Sequence, residues 1–216
     1  MKKGFIFDLD GVITDTAKYH YLAWKELARE LGIEIDEAFN ESLKGIDRLS
    51  SLERILRFGG QELAYTEMEK AALAAKKNAQ YVELLTDLSP ADLLPGIADF
   101  LAEAKKQQVP CAIASASKNA PMILEKLGVA ANFKAIVDPA TLKKGKPDPE
   151  IFLKAAEAIG LAPAEAVGFE DAQAGVEALN AAGIMSVGIV RDGNLTATTL
   201  NVTDLREISV TELLAY

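Results

Sequence analysis

The sequence predicts an α/β fold, a parallel sheet flanked by helices, with a helical domain inserted after the first strand. Three observations carry this. Short apolar runs alternate with helical patterns along most of the chain. The alternation is interrupted once, between about Thr14 and Asp92, by a stretch with helical periodicity and no convincing strand. Several helical patterns close on glycine (Gly128, Gly160 and Gly183), as helix C-termini commonly do.

The first strand is expected over Lys3–Asp8, an apolar run that ends abruptly in Asp8-Leu9-Asp10-Gly11. The insert follows. Thr16–Leu31 reads as a helix with Tyr19, Leu22, Ala23, Leu27 and Leu31 at helical spacing, and further helices are expected at Arg48–Arg57 and Thr66–Leu85. Ser89-Pro90 and Leu94-Pro95-Gly96 are turn signals that return the chain to the alternating pattern. Next come a helix at Ile97–Lys106, a strand at Val109–Ala114 and a helix at Ala120–Leu127. They are followed by a strand at Ala135–Val137, a helix at Pro149–Ile159, a strand at Ala166–Phe169, a helix at Ala174–Ala182 and a strand at Ser186–Val190. Strand and helix alternating at this pace imply parallel strands with right-handed helical crossovers, a Rossmann-like core. The domains are therefore 1–14 with 93–216 for the core and 15–92 for the helical insert, placed above the carboxyl end of the sheet. The chain after Gly193 is weakly patterned and yields no element.

Composition narrows the function. The chain has 216 residues, half of them hydrophobic and a quarter charged, which is ordinary for a globular protein. A net charge of −9 argues against general nucleic-acid or anionic-membrane binding. Cys111 is the single cysteine and lies in an apolar run, so it reads as a buried thiol. No stretch approaches the ~18 apolar residues of a membrane helix, and the N-terminus lacks a signal-peptide pattern. A cytoplasmic location is the expectation.

In open α/β sheets the ligand crevice lies beyond the carboxyl ends of the strands. The residues there are Asp8 and Asp10 after the first strand, Ser115 after the second and Glu170-Asp171 after the fourth, with Lys146-Pro147 ahead of the helix at Pro149. In an extended segment Asp8 and Asp10 project to the same side. Like charges ~4 Å apart cost about 4 kcal/mol per pair at an effective dielectric of 20, more than one lysine offsets among four carboxylates. A hard divalent cation does offset it, and an all-oxygen site with few fixed ligands suits Mg²⁺. Mg²⁺ in turn pairs with phosphate oxygens.

Asp8-x-Asp10-Gly11-Val12, Ser115, Lys146-Pro147 and Glu170-Asp171, in this order, resemble the four motifs of the haloacid dehalogenase-like phosphotransferases. The helical insert is similar to the mobile cap of that superfamily. A finer resemblance, to its β-phosphoglucomutase family, rests on Asp10 to Thr16, His20, Trp24, Leu43-Lys44-Gly45, Arg48, Ser115 to Asn119 and Glu170 to Gly175, and runs to about Val190.

The resemblance implies a Mg²⁺-dependent phosphomutase that interconverts β-D-glucose 1-phosphate and glucose 6-phosphate as a monomer. Asp8 would be the nucleophile, forming an aspartyl-phosphate. Asp10 would be the general acid/base for the sugar oxygen. Thr16 and His20 would support it near the hinge. Ser115 and Lys146 would steady the transferring phosphoryl group. The metal would be held by Asp8, the Asp10 carbonyl and Asp171, with Glu170 close by. Substrate contacts would come from Trp24, Lys44, Gly45, Arg48, Ser51, Lys77, Ser115, Ala116, Ser117, Lys118, Asn119 and Lys146, with Arg48 best suited to a phosphate fork. Cap closure would exclude water. A sugar-phosphate phosphatase on the same scaffold is the alternative, and a non-catalytic sugar-phosphate-binding protein a more distant one.

Other readings of single residues stand beside these. Ser115 also fits a helix N-cap. Trp24 shares helical spacing with Leu27 and Leu31 and also fits a core position. Lys76-Lys77 reads as a solvated face, with Lys77 alone a candidate substrate contact.

Overall fold

A computed structural model describes residues 1–191 and 194–216. The elements run β1 (Gly4–Phe7), α1 (Ala17–Glu30), α2 (Glu37–Glu41), α3 (Arg48–Phe58), α4 (Glu67–Leu84) and α5 (Ile97–Lys106). They continue with β2 (Cys111–Ile113), α6 (Ala120–Lys126), β3 (Ala135–Ile136), α7 (Glu150–Ile159), β4 (Ala166–Glu170), α8 (Gln173–Ala181), β5 (Met185–Ile189), β6 (Leu200–Val202) and α9 (Val210–Leu214). The chain divides into two compact units, Met1–Asp15 with Leu88–Tyr216, and Thr16–Asp87.

In the first unit six parallel strands form one sheet in the order β3-β2-β1-β4-β5-β6. The order reverses between β1 and β4, which makes the carboxyl ends of these two strands the natural crevice. Their register pairs Phe7 with Phe169, and the Asp8 amide donates to the Phe169 carbonyl at 3.0 Å, so the next rung sets Asp8 beside Glu170.

Strand β1 is buried on both faces, as its continuous apolar run requires. Phe5 and Phe7 point to one face, where they meet Phe100 and Phe169, with Phe7 and Phe169 stacked at 4.6 Å. Aromatic pairs of this kind add roughly 0.5–1.5 kcal/mol each beyond their burial. Ile6 points to the other face, into a core with Ile151, Phe152, Ala155, Ala178 and Leu179 of α7 and α8. Asp8 shares the parity of Ile6 and so emerges on the α7 side.

The second unit is helical throughout. Trp24, Leu27 and Ala28 of α1 pack with Leu52, Ile55 and Leu56 of α3 and Ala74 of α4. Asp36 caps α2, Asp47 caps α3, and Thr66 with Glu69 forms a reciprocal capping box on α4.

Helices at α1, α3, α4 and α5 to α8, and strands β1 to β5, fall within two residues of the sequence expectation. Three elements were not anticipated. Helix α2 is five residues long, too short to show a period. Strand β6 and helix α9 lie in the weakly patterned end, where the boundary residue Gly193 is outside the described residues. Strand β6 is set by parallel pairing with β5, Val187 opposite Leu200 and Ile189 opposite Val202, and polar contacts hold the segment that leads into it: the Ser186 hydroxyl accepts from the Thr199 amide, and Asn180 donates to the Ala197 carbonyl at 2.8 Å. Among the described residues no helix is long and apolar enough to cross a membrane.

Candidate active site

Strand β1 stops at Phe7, and the chain then curls rather than staying extended. The amides of Val12, Ile13 and Thr14 all point at the Leu9 carbonyl, at 2.9–3.3 Å, and the Gly11 amide donates to the Thr14 carbonyl at 2.8 Å. The expected extended Asp8/Asp10 pair is therefore corrected: Asp8 closes the strand, and Asp10 sits on the turn that follows. Gly11 permits that turn with a φ of 82°. It also makes room, since a Cβ there would lie 2.0 Å from Oδ2 of Asp171.

Asp8, Glu170 and Asp171 bring carboxylate oxygens within 4.8 Å of one another. Lys146, arriving in the loop before α7, is buried beside them. Its ammonium donates to Oδ1 of Asp8 at 2.6 Å and to Oε2 of Glu170 at 2.7 Å, and lies 4.8 Å from the centre of the Phe152 ring. The other oxygen of Glu170 accepts from the amides of Asp171 and Ala172. Gly175 makes this seat, because a Cβ there would lie 1.9 Å from Oε2 of Glu170.

Burial is the largest influence on the Glu170 carboxyl. With the Asp8 and Asp171 charges added and Lys146 opposing, its pKa is pushed up to about 8. Burial works against the Lys146 ammonium, but Asp8 and Glu170 more than offset it and hold its pKa above the ordinary lysine range. Three crowded oxygen donors, one of them on the partly exposed Asp171, fit a hard divalent cation.

Ser115 is buried after β2, and its hydroxyl accepts from the Ser117 amide at 3.1 Å. It does not cap α6, whose N-cap is Asn119, because the chain turns twice between them: the Ser117 hydroxyl accepts in turn from the Asn119 amide. Ala116 and Ser117 are partly buried, and Lys118 is exposed.

In the helical unit Thr16 is fully buried ahead of α1. His20 and Trp24 stand one turn apart on α1, and Lys77 and Tyr81 one turn apart on α4. The four meet. The Lys77 ammonium is 2.6 Å from Nδ1 of His20 and lies over the rings of Trp24 and Tyr81 at 4.6 and 4.8 Å. The imidazole stacks on Tyr81 with ring centres 3.9 Å apart. The expected solvated Lys76-Lys77 face is thus half wrong. Lys76 is exposed and pairs with Glu30, whereas Lys77 is buried because α1 offers it an imidazole and an aromatic face.

Desolvation, then the charges of Lys77 and Arg48, hold the His20 pKa well below its usual value. Arg48 opens α3 partly buried, and burial lowers its own pKa. Lys44 pairs with Glu41 at 2.8 Å, Gly45 follows at a φ of 74°, and the Ser51 hydroxyl donates to the Asp47 carbonyl.

Two further residues escaped the sequence reading. Tyr81 could have been found from its spacing of four from Lys77. Arg191 lies just past β5, where the rule of reading beyond each strand points; its guanidinium donates to the Gly11 carbonyl.

Residues 2–183 match the haloacid dehalogenase-like hydrolase family. Over 187 residues the chain is 52% identical to the β-phosphoglucomutase of Bacillus subtilis (strain 168), covering 87% of this chain and 83% of that one. It is 31% identical over 189 residues to a fructose-1-phosphate phosphatase of Escherichia coli (strain K12), covering 86% of this chain and 95% of that one. The crystal structure of a β-phosphoglucomutase from Clostridium difficile superposes with a TM-score of 0.96 at 44% identity, covering 100% of this chain and 96% of that one. The chain belongs to the haloacid dehalogenase-like hydrolase family.

Proposed function

We propose that this member of the family interconverts β-D-glucose 1-phosphate and glucose 6-phosphate through β-glucose 1,6-bisphosphate. The observation that carries the reading is the 52% identity to a β-phosphoglucomutase over most of both chains, joined to a buried Asp8 whose carboxylate is held by Lys146.

Asp8 serves as the nucleophile and carries the phosphoryl group as an aspartyl-phosphate. The phospho-enzyme passes that group to the 6-hydroxyl of β-glucose 1-phosphate, while Asp10 takes the hydroxyl proton. Asp8 then accepts the phosphoryl group from the 1-position of the bisphosphate, and Asp10 returns the proton to the departing oxygen. Lys146 and Ser115 steady the phosphoryl oxygens, so catalysis is mostly positioning and charge stabilisation. Asp8, the Asp10 carbonyl, Asp171 and Glu170 are the residues that would hold Mg²⁺, which when bound supplies positive charge beside the transferring group.

Thr16 and His20 are assigned to the proton-transfer half of the reaction. Arg48, Lys44, Lys118 and Asn119 supply positive charge and donors for the second phosphate and the sugar. Gly45, Ser51, Ala116 and Ser117 bring backbone and hydroxyl groups to it.

A second reading, a sugar-phosphate phosphatase with water as acceptor, is favoured by the likeness to the fructose-1-phosphate phosphatase. The discriminating experiment is a coupled assay on β-glucose 1-phosphate with Mg²⁺, with and without a trace of the bisphosphate. The mutase forms glucose 6-phosphate in proportion to enzyme and is accelerated by the trace. Phosphate release at the rate of substrate loss, without glucose 6-phosphate, overturns the mutase reading.

A further inference from the structure

Lys77 is an ammonium on a flexible stem of four carbons, yet it is placed on one nitrogen of His20. Its charge lies over two aromatic faces, Trp24 at 4.6 Å and Tyr81 at 4.8 Å. Tyr81 does double duty, because the imidazole stacks on it at 3.9 Å with the planes 24° apart. The electron-rich faces attract the cation most strongly where water is excluded, and Lys77 is 1% exposed. An ammonium has three donors and no acceptor, so at 2.6 Å Nδ1 of His20 must accept, and the ring proton must be on Nε2. Trp24 is 3% exposed and belongs to the core of the helical unit. An indole so enclosed has little face left for a sugar.

We propose that Trp24 and Tyr81 are positioning residues that clamp the Lys77 ammonium onto Nδ1 of His20, and so hold His20 as the Nε2–H tautomer that presents a hydrogen-bond donor. Both residues act through Lys77 and His20 and neither touches substrate. The clamp is a property of the helical unit itself. Its catalytic consequence rests on the mutase reading.

The chain has one tryptophan and one histidine, which makes the test clean. Trp24 is replaced biosynthetically by tryptophans of increasing fluorination, which drain charge from the ring face with little change of shape. The His20 nitrogens are followed in the full-length protein by long-range ¹H–¹⁵N spectra. The parent protein should show one protonated-type and one acceptor-type nitrogen. Along the series the two shifts should converge as the Lys77 bond is lost, with a roughly tenfold fall in its population for the fully fluorinated ring. Tyr81→Leu should move the same signals, and Tyr81→Phe, which keeps the ring, should restore them.

Shifts unchanged across the fluorination series overturn the clamp, whatever the leucine variant does to folding. In kinetics kcat should fall with the shifts while KM for β-glucose 1-phosphate stays constant. A rise in KM with an unmoved His20 spectrum assigns Trp24 to the sugar and overturns the proposal. A parent protein without mutase turnover counts against the functional reading alone, since the spectra decide the clamp independently.

Discussion

Lys146 and Lys77 are both buried ammonium groups, and the two units hold them by opposite means. In the parallel-sheet unit Lys146 is seated between the carboxylates of Asp8 and Glu170. In the helical unit Lys77 is seated on an imidazole nitrogen and two aromatic faces. The first arrangement is governed by charge, and it sits where three carboxylates need positive charge near them. The second is governed by shape and π-electron density, and it orients a neutral side chain. Burial of a charge is thus no single signature: beyond the strand ends the ammonium is held by carboxylates, and between helices it is held by an imidazole and aromatic faces.

The largest expected effect is on the charge-governed centre. Asp8→Asn should reduce turnover to background while leaving the fold intact, since Lys146 keeps Glu170. Circular dichroism and the coupled assay check this, and retained turnover removes Asp8 as nucleophile.

Lys146→Met should be the most destabilising change, by about 3–5 kcal/mol in urea unfolding at neutral pH, because it strands the buried Asp8 carboxylate and leaves the buried Glu170 carboxyl without its donor. A loss below 1 kcal/mol would show that the ion pairs are not what seats Asp8.

The pH dependence of stability in metal-free protein should separate the centres by sign. Glu170 has its pKa raised to about 8 in the folded state, so the native form binds more protons than the unfolded chain above the ordinary carboxylate range. Its contribution therefore falls as pH rises from about 4.5 towards 8. His20 has its pKa lowered, so its contribution is complete above about 6.5 and is lost as pH falls below that. Melting curves of Glu170→Gln and His20→Gln should flatten the first slope and the second respectively. A divalent cation should raise the melting temperature more at pH 8 than at pH 6, since its ligands must be deprotonated.

The smallest effect belongs to Lys77→Met. A flexible apolar side chain replaces the stem among aromatic rings, so the expected cost is roughly 1 kcal/mol or less. A cost equal to that of Lys146→Met would erase the distinction between the two centres.

These contrasts also explain what could be read from sequence. Asp8, Ser115, Lys146 and Glu170-Asp171 were legible because each follows a strand or precedes a helix at the same edge, and the topology alone brings strand ends together. Gly11 and Gly175 were legible as motif residues, but their reason was not: each leaves out a Cβ that would collide with Asp171 or Glu170, which needs three-dimensional distances. The cluster on α1 and α4 was illegible because its two pairs come from helices far apart in sequence. Lys77 stood out only as a candidate substrate contact on an otherwise solvated face, and its seat shows once the rings of Trp24 and Tyr81 are placed beside it. Strand β6 has three residues, and its pairing with β5, rather than its own pattern, defines it.

The fate of the phosphoryl group on Asp8 separates a mutase from a phosphatase. Enzyme carrying a radiolabelled aspartyl-phosphate is mixed rapidly with β-glucose 1-phosphate and Mg²⁺, and the label is followed into products. Label should appear first in β-glucose 1,6-bisphosphate and then in glucose 6-phosphate, with inorganic phosphate a minor product. Label passing directly into inorganic phosphate, at a rate unaffected by the sugar phosphate, would contradict the mutase reading.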